Sequence, residues 1–521
     1  MVMIRSIFIL MLPFLLTNVY SNDKTSFDVV LITMADLHGQ VEPAFELKQD
    51  NVCKVGGFSC LSSAIKKTKE KYPDAIVVAT GDYLFEDFRN GKFFQKFQGK
   101  AIFSLMNDLN IDVATLGNHD FDFGSESTLK ALQYRTFPIV MSNMTFKTPI
   151  LDCYSDYVVE KKGCKIGFIG LMTDALSYYP SIGSELSQLD LNIDILEVTK
   201  EKVKKLKEID KVDFIVVLSH MGLATDKKLA SSVCGIDVIC GGHSHDKFEK
   251  GQEVVVIGPN KEKTVIVYPD AYTKHIGVLK LSKEDNSHDW DLVKVDDKFI
   301  SDKEIESKIN SYLSLLNKSE IKIAESLSVL DTTKSSLRTK ESAIGNLIAD
   351  ILKKKFSADI AMITGSSIRG GKIIPPKDLF LSDIEAMLPF DIYPSLLKIK
   401  GKYILQALED GIVNWPNLGH NFFQVSGIRY SFVNENKNRI VKAEIQKKDG
   451  SYLLIEEEKE YLVVTTSFKL LTKPSSVLFD FASEKEDIDV FIKNLVIEYL
   501  KENNIISPVV EGRILHNASL N

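Results

Sequence analysis

Asn118, His119 and Asp122 stand together in Leu116-Gly117-Asn118-His119-Asp120-Phe121-Asp122-Phe123-Gly124, after a mostly apolar run over 111–116. An amide oxygen is a neutral ligand and an imidazole is a proton donor or a metal ligand. An Asp three residues after a His lies on the same face of a helical turn, where it orients the ring. Taken alone, a His beside an Asp is equally an ordinary surface turn. Four other stretches add weight: Asp36-Leu37-His38-Gly39, Gly81-Asp82, His220, and Gly241-Gly242-His243-Ser244-His245. Asp36, His38, Asp82, Asn118, His220, His243 and His245 together mix carboxylate, amide oxygen and imidazole. That mixture suits two borderline or hard divalent ions, such as Zn or Mn, rather than a sulfur-rich structural site. Asp82 is the best candidate for a carboxylate bridging both.

The elements that must position these groups are legible around them. Each stretch follows a β-branched or apolar run, over 27–34 (FDVVLITM), 75–80 (AIVVAT), 111–116, 213–219 (DFIVVLS) and 236–240 (IDVIC). Polar turns and amphipathic helical stretches alternate with the runs from 27 to about 290, an α/β pattern. In α/β sheets, sites form at the carboxyl ends of strands. Five strands each delivering Asp, Asn or His at that end predict a single centre. Glycines at 39, 81, 117, 241 and 242 let the backbone turn sharply beside it.

The motifs ADLHG, GD, GNHDFDFG, LSHMG and GGHSH, in this order, resemble those of the calcineurin-like metallophosphoesterases. Gly56-Gly57 after the first motif, and FDFG after GNH, are similar to the secreted 5′-nucleotidases. The resemblance covers nearly the whole mature chain. It implies a four-layer α/β/β/α metallophosphoesterase sandwich followed by a C-terminal α+β substrate-binding domain that rotates to deliver substrate. It also implies His119 and Asp122 as the catalytic dyad, with Asp120, where the family usually has Glu, as a structural residue. The last ligand position, His245, varies in such families. Asp246 beside it reads as surface.

The expected domain plan is a signal peptide over 1–21, a metallophosphoesterase domain over 22–300, a linker helix over 301–325 and a substrate-binding domain over 326–521. Residues 301–317 (SDKEIESKINSYLSLLN) carry apolar positions at helical spacing. They read equally as a helix joining the domains or as the last helix of the first. Further matches to the 5′-nucleotidase C-terminal domain are Gly345-Asn346-Leu347-Ile348-Ala349-Asp350, Thr364-Gly365-Ser366-Ser367-Ile368-Arg369, Pro389-Phe390 and Phe422-Phe423-Gln424-Val425-Ser426-Gly427-Ile428. The resemblance implies that Asn118 and Arg369 hold substrate phosphate and that Phe422 stacks on the base. The family's second stacking aromatic follows a Gly-Gly-Asp-Gly turn. Residues 466–482 (TSFKLLTKPSSVLFDFA) have no such turn, and leave Phe479 or Phe481 as substitutes.

Residues 1–21 place Arg5 before an apolar core over 7–16, shorter than the roughly 20 residues a spanning helix needs. A secretory signal peptide is expected, hence a secreted, extracellular or periplasmic protein with no transmembrane segment after its removal. Lys+Arg 64 against Asp+Glu 71 gives −7, and loss of Arg5 makes −8, which argues against nucleic acid as a partner. A mature chain near 500 residues is too long for one core. Six cysteines suit an oxidising compartment. Of 15 connectivities, local pairing 53–60, 153–164 and 234–240 is expected, with buried free thiols as the alternative. Asn143, Asn317 and Asn517 open Asn-x-Ser/Thr sequons. The whole reads as a two-metal phosphomonoesterase acting on nucleoside 5′-monophosphates. The alternatives are the same chemistry on a nucleotide sugar, a cyclic nucleotide or a non-nucleotide ester, or a non-catalytic nucleotide-binding protein.

Overall fold

A computed structural model describes residues 27–48, 51–84, 96–173, 189–191, 194–317, 320–435, 437–467 and 476–517. The expected signal peptide, 1–21, lies outside the described residues.

Two sheets face each other in the first half. One has seven strands, in the order His288–Lys294, His275–Leu281, Val29–Met34, Ile76–Thr80, Val113–Thr115, Ile139–Val140, Cys153–Tyr154. From Val29–Met34 onward the pairing is parallel. The other has six strands, with Lys263–Val267, Val238–Gly241, Phe214–His220 and Cys164–Met172 parallel at its centre. Successive side chains of a strand point to opposite faces, and strands covered on both faces read as continuous apolar runs. Val29, Leu31, Ile76 and Val78 therefore meet Ile166, Phe168, Val216 and Leu218 in the core between the sheets. Ile32, Met34, Val77 and Ala79 point outward, beneath the helices Phe58–Lys71 and Lys100–Asp108. On the far side, Ile215 and Val217 pack beneath Leu223–Ser232. The layers are α/β/β/α.

The amphipathic stretch near 301 forms the helix Lys303–Asn317. Its Ile305, Ile309 and Leu316 sit in the same core as Phe58 and Phe103, and Lys308 donates to Asp108 at 2.8 Å. The helix therefore lies against the sandwich. In the second half a five-stranded sheet runs Phe423–Ser426, Ile360–Thr364, Glu460–Ser467, Tyr393–Lys400 and Glu484–Asp487, covered on both faces except at the exposed edge strand Glu484–Asp487. Helices Ala343–Lys355 and Ile492–Asn503 cover one face, and Gly401–Ile412 covers the other.

Two expectations are corrected. All six cysteines are free thiols, because the members of each couple pack in different surroundings. Cys60 is buried, its thiol directed at Phe299 O, while Cys53 sits half-buried on a hairpin. Cys153 belongs to the first sheet and Cys164 to the second. Cys240 is buried between the sheets and Cys234 lies in the turn before it. The sequon residue Asn143 is buried, and its amide clasps both the N–H and the C=O of Met172 at 2.9 Å, which closes it to a glycan.

Candidate active site

Strand ends bring the predicted groups to one edge of the sandwich. Met34 and Thr80 are neighbours of the first sheet, and His220 ends the central strand of the second. The groups fall into two triads with ligand atoms within 4.8 Å of one another, Asp36–His38–His245 and Asp82–His220–His243. Asp82 Oδ2 lies 3.0 Å from His220 Nε2 and 3.8 Å from His38 Nε2, so one carboxylate oxygen faces both triads. His38 Nε2 and His245 Nε2 are 3.0 Å apart, and Asp36 Oδ1 is 3.6 Å from His245. Asn118 joins the second triad by accepting from His243 Nδ1 at 2.8 Å.

These residues fit divalent ions on their own terms. His220 Nδ1 donates to Thr80 O at 2.7 Å, which turns Nε2 toward the triad. That Nε2 is buried and makes no hydrogen bond. Burial opposes charge on both Asp82 and His220. Their mutual attraction wins, holding Asp82 below the usual carboxylate range and pushing His220 up to about 10; a dication would take the place of that Nε2 proton, so its binding would release it. Burial, with the nearby His220 charge, brings His243 down to about 4, so its imidazole is neutral at pH 7, the form a metal takes.

The backbone is forced to achieve this. Asp36, His38, Asp82, His243 and His245 all have φ between 47° and 76°, the left-handed region that non-glycine residues seldom occupy. At Gly117 a Cβ would lie 2.1 Å from Asp82 Oδ1, so only glycine lets the two loops close. Asp120 accepts from the N–H groups of Asp82, Tyr83, Leu84 and Gly117 at 2.8–3.2 Å, tying those loops together. Burial and the neighbouring Asp82 charge still push its carboxyl up to about 7. Asp120→Ala orphans four buried donors. It is expected to lower unfolding stability by about 3–5 kcal/mol in denaturant titration; an unchanged midpoint would show that the loops hold without it.

His119 lies half-exposed at the mouth. Its N–H donates to Asp82 Oδ1 at 2.8 Å, its Nδ1 is 2.8 Å from Asp122 Oδ2, and its ring is 5.4 Å from that of His38. Asp246 turns away to accept from Ser244 Oγ.

The profile of calcineurin-like phosphoesterases matches residues 30–247, and that of the 5′-nucleotidase C-terminal domain matches residues 322–477. The chain carries a calcineurin-like phosphoesterase domain followed by a 5′-nucleotidase C-terminal domain. It is 26% identical to bovine 5′-nucleotidase over 534 residues, covering 94% of this chain and 91% of that one. It is 29% identical over 499 residues to the trifunctional nucleotide phosphoesterase protein of Bacillus subtilis, covering 86% of this chain but 33% of that longer one. The crystal structure of a 5′-nucleotidase precursor from Thermus thermophilus superposes with a TM-score of 0.57 at 26% identity, covering 94% of this chain and 99% of that one.

The second half departs from the sequence reading at the aromatic. Phe422 is 1% exposed, its ring inside a core with Phe432, so it offers no open face to a base. Phe479 is also buried there, and Phe481 lies flat on Tyr403 at 4.3 Å. Phe481 is 48% accessible; Phe390, 41% accessible, is the exposed aromatic beside Arg369, whose guanidinium lies 5.0 Å above its ring. Arg369 also has a neighbour that sequence reading missed. The buried Arg338, on the short helix Lys334–Thr339, is packed against the Gly365–Ser367 turn that precedes Arg369. A Cβ on Gly365 would lie 1.8 Å from Leu337 O, which is why glycine stands there. Burial lowers the pKa of both arginines, and the Arg338 charge lowers that of Arg369 further. Among the described residues neither meets a carboxylate, and Arg369 Nη1 is buried without a hydrogen bond. Two desolvated like charges held together call for an anion.

Proposed function

We propose that the chain is an exported phosphomonoesterase that hydrolyses nucleoside 5′-monophosphates to nucleoside and phosphate. The observation that carries this is the pair of triads sharing Asp82 Oδ2, with the His119–Asp122 pair at their mouth. Asp36, His38, Asp82, Asn118, His220, His243 and His245 would hold two divalent ions, Zn or Mn. When bound, these supply a nucleophilic water and polarise the phosphoryl oxygens. Asn118 directs its amide at the phosphoryl group. His119 stabilises the charge that builds there and gives the leaving 5′-oxygen its proton. Asp122 accepts from Nδ1–H and stabilises the imidazolium, whose Nε2–H faces the substrate and is the proton given to the leaving oxygen. Arg338 and Arg369 take the substrate's remaining negative charge, and Phe390 replaces Phe422 as the aromatic that meets the base.

Released phosphate from AMP, GMP, UMP, CMP, a cyclic nucleotide, a nucleotide sugar and p-nitrophenyl phosphate tests this reading. The 5′-monophosphates are expected to have the highest kcat/KM. Faster turnover of the cyclic nucleotide or the nucleotide sugar would replace the substrate while leaving the two-ion chemistry in place. A charge-assisted hydrogen bond is worth about 1.5–3 kcal/mol. Arg369→Ala and Arg338→Ala should each lower kcat/KM roughly ten- to hundred-fold on every substrate. Phe390→Ala should raise KM for nucleotides alone. Phe422→Ala should cost stability and spare the ratio between nucleotide and p-nitrophenyl substrates.

A further inference from the structure

Three residues in a stretch of four, Asp270, Tyr272 and Thr273, have φ of 73°, 60° and 60°. Left-handed backbone at a β-branched or aromatic residue persists only where its surroundings hold it. Two clamps do so here. Asp270 Oδ2 accepts from His275 Nδ1 at 2.7 Å, closing the turn across its base. Thr273 Oγ1 accepts from Gly57 N at 2.7 Å. A Cβ on Gly56 would lie 2.5 Å from that oxygen and 2.9 Å from Tyr272 O, so glycine at 56 admits this turn.

The turn delivers Tyr272 to one triad. Its N–H donates to Asp36 O at 2.8 Å. Its ring lies 5.3 Å from the His38 ring and 5.2 Å from the His245 ring, at 89° to the latter. Both imidazoles and the Asp36 backbone are thus braced by one residue, while His220 and His243 pack against each other at 5.2 Å. We propose that Tyr272 is a positioning residue for the Asp36–His38–His245 ion position, so that this position is tuned separately from the Asp82–His220–His243 one. The inference rests on the two-ion reading above.

Titration of Mn(II) into metal-stripped protein, followed by calorimetry and electron paramagnetic resonance, tests it without reference to activity. Wild type should take two ions and give a spin-coupled signal. Tyr272→Ala should bind one ion with wild-type affinity and the second roughly 10–100-fold more weakly, the cost typical of losing a partner of a metal ligand. At one equivalent it should show an uncoupled signal. Tyr272→Phe keeps the ring and should restore the tight second ion. Should Tyr272→Ala fail to fold, His275→Gln, which loosens the turn from outside the triad, carries the same expectation. Equal weakening of both ions, no weakening of either, or a Tyr272→Phe as weak as Tyr272→Ala would overturn the role of Tyr272. A wild type that binds fewer than two ions would instead overturn the two-ion reading.

Discussion

Asp82→Asn is expected to empty the centre of at least one ion and to lower kcat by ~10²–10³-fold or more, the cost of losing one pre-organised electrostatic group. Asp36 and Asp82 are the only carboxylates among the seven candidate ligands, so two negative charges face two dications. Removing one halves the compensation inside a buried site, where uncompensated charge is most costly. Asparagine keeps the size of the side chain and an oxygen that accepts from His119 N. The loops should therefore stay closed, and the loss should be of charge rather than of fold. Metal content by mass spectrometry should fall below two per chain. A chelator should mimic the mutant in wild type, with Zn, Mn or Co restoring activity to wild type but not to Asp82→Asn. Two retained ions and full turnover in the mutant would end the assignment of Asp82 as the shared ligand.

The first half of the molecule was readable because its information is local. A strand buried on both faces is a mostly apolar run, and each candidate ligand stands within two residues of its end: Asp36 after Met34, Asp82 after Thr80, His220 after Ser219. His119 and Asp122 are three residues apart on one turn, again a local relation. The backbone was not readable. Nothing in ADLHG or GGHSH announces that Asp36, His38, His243 and His245 are left-handed, since the strain is imposed by contacts across the sandwich. Phe422 failed for the same reason. Its burial is decided by Phe432 and by the helix Gly401–Ile412, and a base-facing ring and a core ring look alike in sequence. Arg338 gave no signal because its interest lies in its packing beside the distant turn that precedes Arg369. Tyr272 was missed because its significance is a contact with His38, more than two hundred residues earlier.

His119→Ala should separate chemistry from binding. The backbone N–H that donates to Asp82 survives the substitution, and no candidate ligand is lost. Both ions should therefore remain, while kcat on AMP falls by ~10²–10⁴-fold, the range for a positioned proton-transfer group. Asp122→Asn should fall in the same direction but less, because an amide oxygen still accepts from Nδ1 while its lost charge no longer stabilises the imidazolium. Asp120→Asn, whose target is backbone N–H groups, should cost less turnover than Asp122→Asn; the reverse order would move the dyad to Asp120. The leaving group then decides which task His119 performs. An alkoxide leaving from a ribose needs a proton, and p-nitrophenolate does not. If His119 delivers that proton, the His119→Ala deficit should shrink markedly on p-nitrophenyl phosphate. If it acts on the charge of the phosphoryl oxygens, the deficit should be the same on both substrates, and proton delivery to the 5′-oxygen would have to be assigned elsewhere.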